Sequence, residues 1–270
     1  MTLSRPVFGT RRSTGRPTGR PIGRRAFVAG LSALAASATG PAFSGQKNTI
    51  RIASEGAFPP YNFLTAEGTL DGFEFELGNL ACDRAGLTCE WVLTEWTGII
   101  PGLLDGRYDA IMAGMAVTSK RAQHVSFSRG YTGNTSDPIV GMFVATHSFL
   151  DPAAALIAVQ SDTIHEAHLL GRGIKVQPCA TAGEAFDAVL NGTADAVFGS
   201  PSFLEKRVLH TNRMLVVLGT ETLDAGGAAI AFRKEDNDLR ARFNTALNAL
   251  DADGTLAALN LKWFTPSTNI

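Results

Sequence analysis

The sequence predicts an α/β fold that consists of two similar lobes. Apolar strand-like segments alternate with segments of helical periodicity along most of the chain, a pattern typical of α/β proteins. One phrase also occurs twice, as "GLLDGRYDAIMAG" at 102–114 and "AVLNGTADAVFGS" at 188–200. Each copy joins a helix, a glycine stop and an Asp-Ala strand entry. The chain of 270 residues is long enough for two such α/β units.

The N-terminal segment has the pattern of an export signal. Residues 1–25 contain seven arginines and no acid, residues 26–38 are apolar, and Ala36-Ser37-Ala38 offers a small-x-small cleavage site. We assign residues 1–45 to this leader. "GRRAFVAG" resembles a twin-arginine export motif, and the general secretory route is the alternative. No cysteine lies near the cleavage region, so we expect no lipid anchor.

The charge of the remaining chain excludes one class of partner. The net charge of −1 becomes −8 once the seven arginines of the leader are set aside. Because phosphate binding depends on Lys and Arg, nucleic acid is not expected as a partner. No later segment approaches about 18 uninterrupted apolar residues, so we expect no membrane span.

The first α/β unit follows the leader. "NTIRIAS" (48–54) is predicted to be a strand, "EGAFPPYNF" a loop, and 73–86 a helix that Gly86 ends. "TCEWVLTEW" is predicted to be the next strand. Thr97 is expected to cap a short helix that ends at Gly106, and "YDAIMAGMAV" reads as one strand buried on both faces.

The second unit has the same order of elements. We predict strands at 154–160 and in "IKVQPC", and helices in "SDTIHEAHLLG" and "TAGEAFDAVLNG", where Thr181 and Glu184 form a capping box. The chain is expected to cross between lobes through 136–148 and to return through 222–234, before two C-terminal helices. Lobe 1 is therefore 46–142 with 224–270, and lobe 2 is 143–223. A cleft between lobes is where small-molecule sites preferentially form.

The three cysteines have different predicted roles. Cys82 and Cys89, with six residues between them, favour a local disulfide between the end of a helix and the following strand in an exported protein. Metal binding is the alternative, although no nearby histidine joins the pair. Cys179 is expected to be a buried thiol.

Arg121 is the strongest candidate for a ligand contact. Thr118 is a good N-cap, which places Arg121 in the first turn of a helix, where acids are the usual residues. A guanidinium beside the free N–H groups of that turn would bind a carboxylate through two parallel hydrogen bonds. The alternative is a surface arginine paired with a nearby acid.

Other candidates lie after predicted strands. Glu55 closes the first strand and would hold a cationic group, or else is a solvated loop acid. Phe58, Tyr61 and Trp96 offer faces for stacking on a ligand, although structural packing is the default interpretation for any one of them. Ser161, Asp162 and Thr163 open a helix; they either cap it or face the cleft.

Patterns for catalysis and for cofactor or metal binding are absent from the sequence. It contains no Gly-x-Ser-x-Gly elbow, no Walker loop and no His-Glu-x-x-His motif. His165 and His168 share one helix face, and we interpret them as surface histidines because no further ligand lies near. We therefore expect no catalytic residue, cofactor or metal.

Four ordered segments resemble one known family. They are "IRIASEGAFPPYNF", "GTLDGFEFELGNLACDRAG", "WTGIIPGLLDGRYDAIMAGMAVTSKRAQHVSFSRGY" and "RKEDNDLRARFNTALNALDADGTLAALNLKWF". Together they resemble the family 3 extracellular solute-binding proteins, the periplasmic receptors of ABC importers for polar amino acids and opines. The resemblance implies a bilobal, two-hinge type II fold that closes on its ligand, a periplasmic location, a membrane permease as partner and a monomer.

The resemblance also assigns roles to residues. It implies that Arg121 binds a carboxylate, that Phe58 covers the ligand, and that Ser161 and Thr163 contact the carboxylate from the second lobe. It places Glu55 and Ser200 at the ligand and pairs Cys82 with Cys89, as in the histidine and lysine/arginine/ornithine branch. The segment implied to hold the ligand through its backbone and hydroxyls comprises Ala113, Gly114, Met115 and Ala116.

Two departures from the family pattern bear on the ligand. Ser200 stands where amino-acid receptors usually carry an acid for the α-ammonium, and Ala116 replaces a hydroxyl-bearing residue. Because a buried ammonium needs a paired partner, these changes favour an opine such as octopine or nopaline, with Glu55 facing its basic end. Arginine-like amino acids are the second choice. The alternative function is an enzyme similar to cyclohexadienyl or arogenate dehydratases, with Glu55 or Glu95 as the acid.

Overall fold

The computed structural model describes residues 48–132, 138–148, 150, 154–211 and 215–265, and the predicted leader lies outside them. These residues form fourteen strands and eight helices. The strands are β1 (Thr49–Ser54), β2 (Ala57–Phe58), β3 (Asn62–Leu64), β4 (Leu70–Asp71), β5 (Thr88–Leu93), β6 (Ala110–Ile111), β7 (Ala116–Val117), β8 (Ser126–Gly130), β9 (Ile139–Ala145), β10 (Ile157–Gln160), β11 (Val176–Cys179), β12 (Ala196–Gly199), β13 (Val216–Leu223) and β14 (Gly226–Phe232). The helices are α1 (Phe73–Arg84), α2 (Ile99–Leu104), α3 (Ser119–Ala122), α4 (Ile164–Gly171), α5 (Ala182–Leu190), α6 (Pro201–Leu209), α7 (Asn237–Ala252) and α8 (Thr255–Phe264).

Two main sheets of equivalent topology confirm the predicted α/β class. The first sheet has the order β5-β1-β6-β14-β7, with β8 also paired to β14, and the second has the order β11-β10-β12-β9-β13. In each of these spatial orders the first three strands are parallel to one another, and the fourth strand is antiparallel to the third. Strands β2, β3 and β4 form a small separate sheet beside the first.

The repeated phrase of the sequence performs the same structural task in both sheets. The Asp109 backbone N–H donates to the Arg51 carbonyl, and the Asp109 carboxylate accepts the Arg51 N–H at 3.0 Å. Asp195 makes the equivalent pair of bonds to the backbone of Leu156, with the carboxylate bond at 2.8 Å. Each aspartate thus fixes the register at which the third parallel strand enters its sheet.

The chain passes between the two sheets twice, as predicted. Strand β8 belongs to the first sheet and β9 to the second, and the connection includes residues 133–137, which are not described. The return runs directly from β13 to β14 through Asp224 and Ala225. At this point the Ile139 N–H donates to the Ala225 carbonyl, so the two crossings are joined by a hydrogen bond.

Each sheet carries helices on both faces. Helices α1, α7 and α8 pack on one face of the first sheet and enclose a large hydrophobic core. Helix α2 covers a smaller hydrophobic core on the other face of the same sheet. In the second sheet, α5 and α6 pack on one face and α4 on the other. No helix in the described ranges has both the length and the apolar composition required to cross a membrane.

Several local predictions were wrong. "YDAIMAGMAV" does not form one strand but divides into β6 and β7, because the chain turns at Gly114, whose φ is +62°. Helix α2 is preceded by Gly98 as its N-cap rather than by Thr97, and no side chain caps it. Cys179 lies in β11 as a free thiol, and it is half-buried rather than buried.

The predicted Cys82–Cys89 disulfide is present and joins α1 to β5.

Candidate ligand-binding site

A cavity of about 370 Å³ lies between the two sheets. Nine of the predicted site residues line it: Glu55, Phe58, Trp96, Ala113, Gly114, Ala116, Arg121, Thr163 and Ser200. The cavity lies beyond the carboxyl ends of β1, β6, β10 and β12, which is where open α/β sheets place their ligands. Tyr61, Thr132, Gln160, His165 and Ser202 also line the wall.

Two predicted residues do not line this cavity. The Met115 side chain is fully buried in the core beneath α2, and its carbonyl accepts the Ala229 N–H. Ser161 is half-buried, and its N–H donates to the Cys179 carbonyl.

Arg121 projects into the cavity from the first turn of α3. Its N–H donates to the Thr118 hydroxyl at 3.1 Å, which confirms the predicted N-cap. The guanidinium donates to the carbonyl oxygens of Ala116 at 2.9 Å and Asp162 at 3.3 Å. It also stacks over the Trp96 ring, 5.1 Å from the ring centroid. Burial lowers its pKa to about 10, so the side chain remains a cation at neutral pH.

This cation has no bonded counter-ion in the described part of the chain. Its hydrogen-bond partners there are carbonyl oxygens, and the Asp162 carboxylate acts on it only at longer range. A guanidinium has five N–H donors, so donors remain for a bidentate contact with a carboxylate. Because an unpaired charge removed from water is costly, the arrangement favours an anionic ligand group at this position.

Glu55 projects into the cavity from the end of β1. Its Oε1 accepts a hydrogen bond of 2.6 Å from the Gln160 amide, which belongs to the second sheet. Burial raises the pKa of Glu55 from 4.5 to about 7, and the negative charge of Glu74 adds to the rise. A cationic ligand group would bring the counter-charge that this carboxyl lacks.

Aromatic rings form one side of the cavity. Phe58 is stacked between Tyr61, with ring centroids 5.1 Å apart, and Phe203 of the second lobe at 5.8 Å. Phe58 also covers Gly114 so closely that a Cβ at Gly114 would lie 2.9 Å from the ring. The left-handed φ of +62° and this contact both require glycine there.

Asp162 joins the two lobes through its backbone. It is the only non-glycine residue in the described ranges with a positive φ, at 56°, a conformation that is sparsely populated for such residues. In this conformation its carbonyl accepts from the Trp96 indole at 3.2 Å and from the Arg121 guanidinium. Trp96 and Arg121 also line a wider groove of about 880 Å³, so these contacts form a wall between the groove and the cavity.

The cavity wall near Ser200 carries hydroxyl groups rather than an acid. The Ser200 and Ser202 hydroxyls lie 2.8 Å apart, and the Ser202 hydroxyl partly opposes the rise in the pKa of Tyr61. Burial raises the pKa of Tyr61 to about 12, so the phenol stays neutral. This part of the wall is therefore polar and uncharged.

Sequence reasoning missed three residues of the site. Gln160 pairs with Glu55, Glu74 lies directly beneath the cavity, and His165 forms part of its wall. Glu74 had a detectable signal, because an acid occupies the apolar stripe of α1 together with Leu77 and Ala81.

The prediction that His165 and His168 are both surface histidines was wrong for His165. Its Nε2 is buried without a hydrogen-bond partner among the described residues, and burial together with the nearby charge of Arg121 lowers its pKa to about 4. His168 instead pairs with Glu221 at 2.5 Å. No cluster of three or more potential metal ligands occurs in the described ranges.

Two known proteins are similar to this chain in sequence. The L-arginine-binding protein of Pseudomonas aeruginosa is 32% identical, over 87% of this chain and 95% of that protein. The octopine-binding periplasmic protein of Rhizobium meliloti is 29% identical, over 82% of this chain and 92% of that protein.

A solved structure shares the fold. A periplasmic His/Glu/Gln/Arg/opine family-binding protein from Silicibacter pomeroyi, in complex with lysine, superposes with a TM-score of 0.76 at 38% identity. The match covers 82% of this chain and 99% of that one. Residues 50–266 also match the family described as bacterial extracellular solute-binding proteins, family 3. The chain therefore belongs to the family 3 bacterial extracellular solute-binding proteins.

Proposed function

We propose that this protein is a periplasmic receptor that binds an amino-acid derivative and delivers it to the permease of an ABC importer. An opine such as octopine or nopaline is the first choice of ligand, and a basic amino acid such as arginine is the second. The observation that carries the proposal is Arg121, a half-buried cation in the cavity with carbonyl and indole partners but no bonded carboxylate in the described part of the chain. A ligand carboxylate supplies the missing counter-ion.

The charges of the cavity support a ligand with both a carboxylate and a basic group. Arg121 and Glu55 project into the same space, and the wall near Ser200 is uncharged. Free arginine carries an α-ammonium as well as a guanidinium, and that ammonium finds no acid beside Ser200. Octopine carries a secondary ammonium and a second carboxylate. Because these two groups can pair within the ligand, the ammonium needs no acid beside Ser200, while Arg121 and Glu55 remain for the other carboxylate and the guanidinium.

The similar proteins support the same ligand classes. Their names specify arginine and octopine, and the solved neighbour holds lysine. These ligands share a carboxylate and a basic side chain, the two groups that Arg121 and Glu55 complement. We extend this ligand class to the present chain.

We further propose a role for each part of the chain. Residues 1–45 direct export to the periplasm, 46–138 with 224–270 form lobe 1, and 139–223 form lobe 2. The boundary differs from the predicted residue 142 because the whole of β9 (Ile139–Ala145) pairs within the second sheet. The contacts of Gln160 with Glu55, and of Asp162 with Trp96 and Arg121, join the lobes across the cavity. Ligand binding would stabilise this closed arrangement of a monomer.

Isothermal titration calorimetry tests the proposal. The mature protein is titrated with octopine, nopaline, arginine, lysine, histidine and glutamine. We expect binding of at least one opine or basic amino acid, and no binding to any of the six would refute the receptor function.

Arg121→Ala tests the role of the guanidinium. The variant should weaken binding at least tenfold, because a hydrogen bond to a charged group contributes ~1.5–3 kcal/mol. Lys120→Ala is the matched control, since it removes a positive charge from the same helix at an exposed position outside the cavity wall. Equal affinity of Arg121→Ala and the wild type would refute the carboxylate contact.

The same samples separate a receptor from an enzyme. Incubation with prephenate or arogenate, followed by absorbance of the aromatic product, should give no turnover above the rate without protein. Turnover that Glu55→Gln abolishes would instead assign a dehydratase activity to this cavity.

A further inference from the structure

Glu74 is a buried acid whose position the ligand contacts do not explain. It lies in the first turn of α1 with no exposed surface, on the face that packs against the first sheet. A carboxylate in such a place is destabilising unless hydrogen bonds satisfy it.

The partners of Glu74 are all neutral donors beneath the cavity. Its Oε1 accepts from the Gly114 N–H at 2.7 Å and from the Tyr131 hydroxyl, and its Oε2 accepts from the Asn62 amide at 2.7 Å. The Asn62 carbonyl oxygen in turn accepts the Gly56 N–H at 2.8 Å.

These bonds connect the segments that carry the ligand contacts. Gly56 follows Glu55, and Gly114 lies in the segment that Phe58 covers. Tyr131 follows the last residue of β8, where the chain leaves the first sheet for the second. One carboxylate therefore holds two cavity loops and the start of a crossing in fixed relation.

We infer that Glu74 is a positioning residue of the ligand site, which fixes the backbone of Gly114 and Gly56 beneath the ligand and connects both to the crossing at Tyr131. The inference rests on the proposed function only in that the cavity binds a ligand. An apolar residue would fill the same space without the desolvation penalty, whereas only an acid accepts from all three neighbouring donors at once.

A pair of variants tests this network. Glu74→Gln places an amide donor against the Asn62 amide donor and so breaks that connection. The double variant Glu74→Gln with Asn62→Asp restores every bond and moves the negative charge from position 74 to position 62. The new amide at position 74 donates to the new carboxylate at position 62, and that carboxylate still accepts the Gly56 N–H. Glu74→Gln should weaken binding about tenfold, and the double variant should bind within about threefold of the wild type.

A stability control separates positioning from simple destabilisation. Leu250→Ala removes a fully buried side chain from α7 in the core of the same lobe, and it should lower the melting temperature without changing the Kd. If Glu74→Gln does not fold, the double variant and Tyr131→Phe carry the test. Tyr131→Phe removes one bond of the network and should weaken binding about threefold.

Hydrogen exchange provides a measurement that needs no ligand. Glu74→Gln should accelerate exchange of the Gly114 and Gly56 amides about tenfold, and Leu250→Ala should leave their rates relative to neighbouring amides unchanged. Wild-type affinity in Glu74→Gln, failure of the folded double variant to recover affinity, or unchanged exchange in both Glu74→Gln and Tyr131→Phe would overturn the inference. Absence of wild-type binding to every ligand, with accelerated exchange at Gly114, would instead refute the proposed function alone.

Discussion

The half-buried carboxyl of Glu55 should make the stability of the ligand-free protein depend on pH. Burial raises its pKa from 4.5 to about 7, and the Gln160 hydrogen bond only partly opposes this rise. The experiment varies the pH and compares the wild type with Glu55→Gln, which introduces a neutral side chain of nearly the same shape.

The sign of the effect follows from proton linkage. Because the pKa is higher in the folded state, the folded protein retains the proton more strongly than the unfolded chain does. The stabilisation is fully present below pH 4.5 and is lost as the pH rises through about 7. At about 1.36 kcal/mol for each pH unit between those values, the full loss is about 3 kcal/mol. This figure is an upper limit, since opening of the lobes hydrates the carboxyl.

Urea unfolding between pH 5 and pH 8 measures this dependence. The free energy of unfolding of the wild type, relative to Glu55→Gln, should fall by about 1–3 kcal/mol across the range. Other titrating groups cancel in this difference. Glu95→Gln, at an exposed position, is the control and should keep the wild-type profile. Parallel profiles for the wild type and Glu55→Gln would refute the reasoning.

Two further substitutions test how the backbone positions the ligand contacts. Gly114→Ala should weaken ligand binding about tenfold or more, because the left-handed φ and the 2.9 Å approach to a ring exclude a methyl group. Calorimetric titration measures this loss. Thr118→Ala should weaken binding by ~0.5–2 kcal/mol, because it removes the N-cap that holds the helix turn carrying Arg121. Titration at constant pH measures that change.

Each substitution has a matched control elsewhere in the chain. Gly68→Ala alters a glycine of similar φ, +77°, in an exposed turn with open space around it. Thr181→Ala removes an equivalent N-cap from α5, outside the cavity wall. Both controls should lower the free energy of unfolding and leave the Kd unchanged. If a control weakened binding as much as its partner, the positional argument would be wrong.

Much of the fold could be predicted because its signals are local. The repeated Leu-x-Gly-x-x-Asp-Ala core identifies two equivalent units, and Asp109 and Asp195 indeed make the same backbone bonds in the two sheets. The N-caps at Thr118 and Thr181 involve bonds between residues three apart. Such contacts form within one short segment, so the sequence pattern contains them completely.

Other features depend on residues that are distant in the sequence. The turn at Gly114 divides 108–117 into two short strands, and both strands are then completed by pairing with β14, more than 100 residues away. Gln160 acquires its role only because its amide meets Glu55 across the cavity. The buried Nε2 of half-buried His165 likewise follows from tertiary packing, which brings the ring against Phe198 and near Arg121, and not from its helical spacing.

The sequence by itself determined the class of fold, the order of elements in each lobe, and Arg121 in the first turn of its helix. Those properties arise from periodicity, caps and glycine stops, which act over a few residues. Only the tertiary structure decided what Arg121 meets: two carbonyl oxygens and an indole, with no bonded carboxylate in the described part of the chain. Whether a charge is compensated depends on every segment that folds around it, and here those segments come from both lobes.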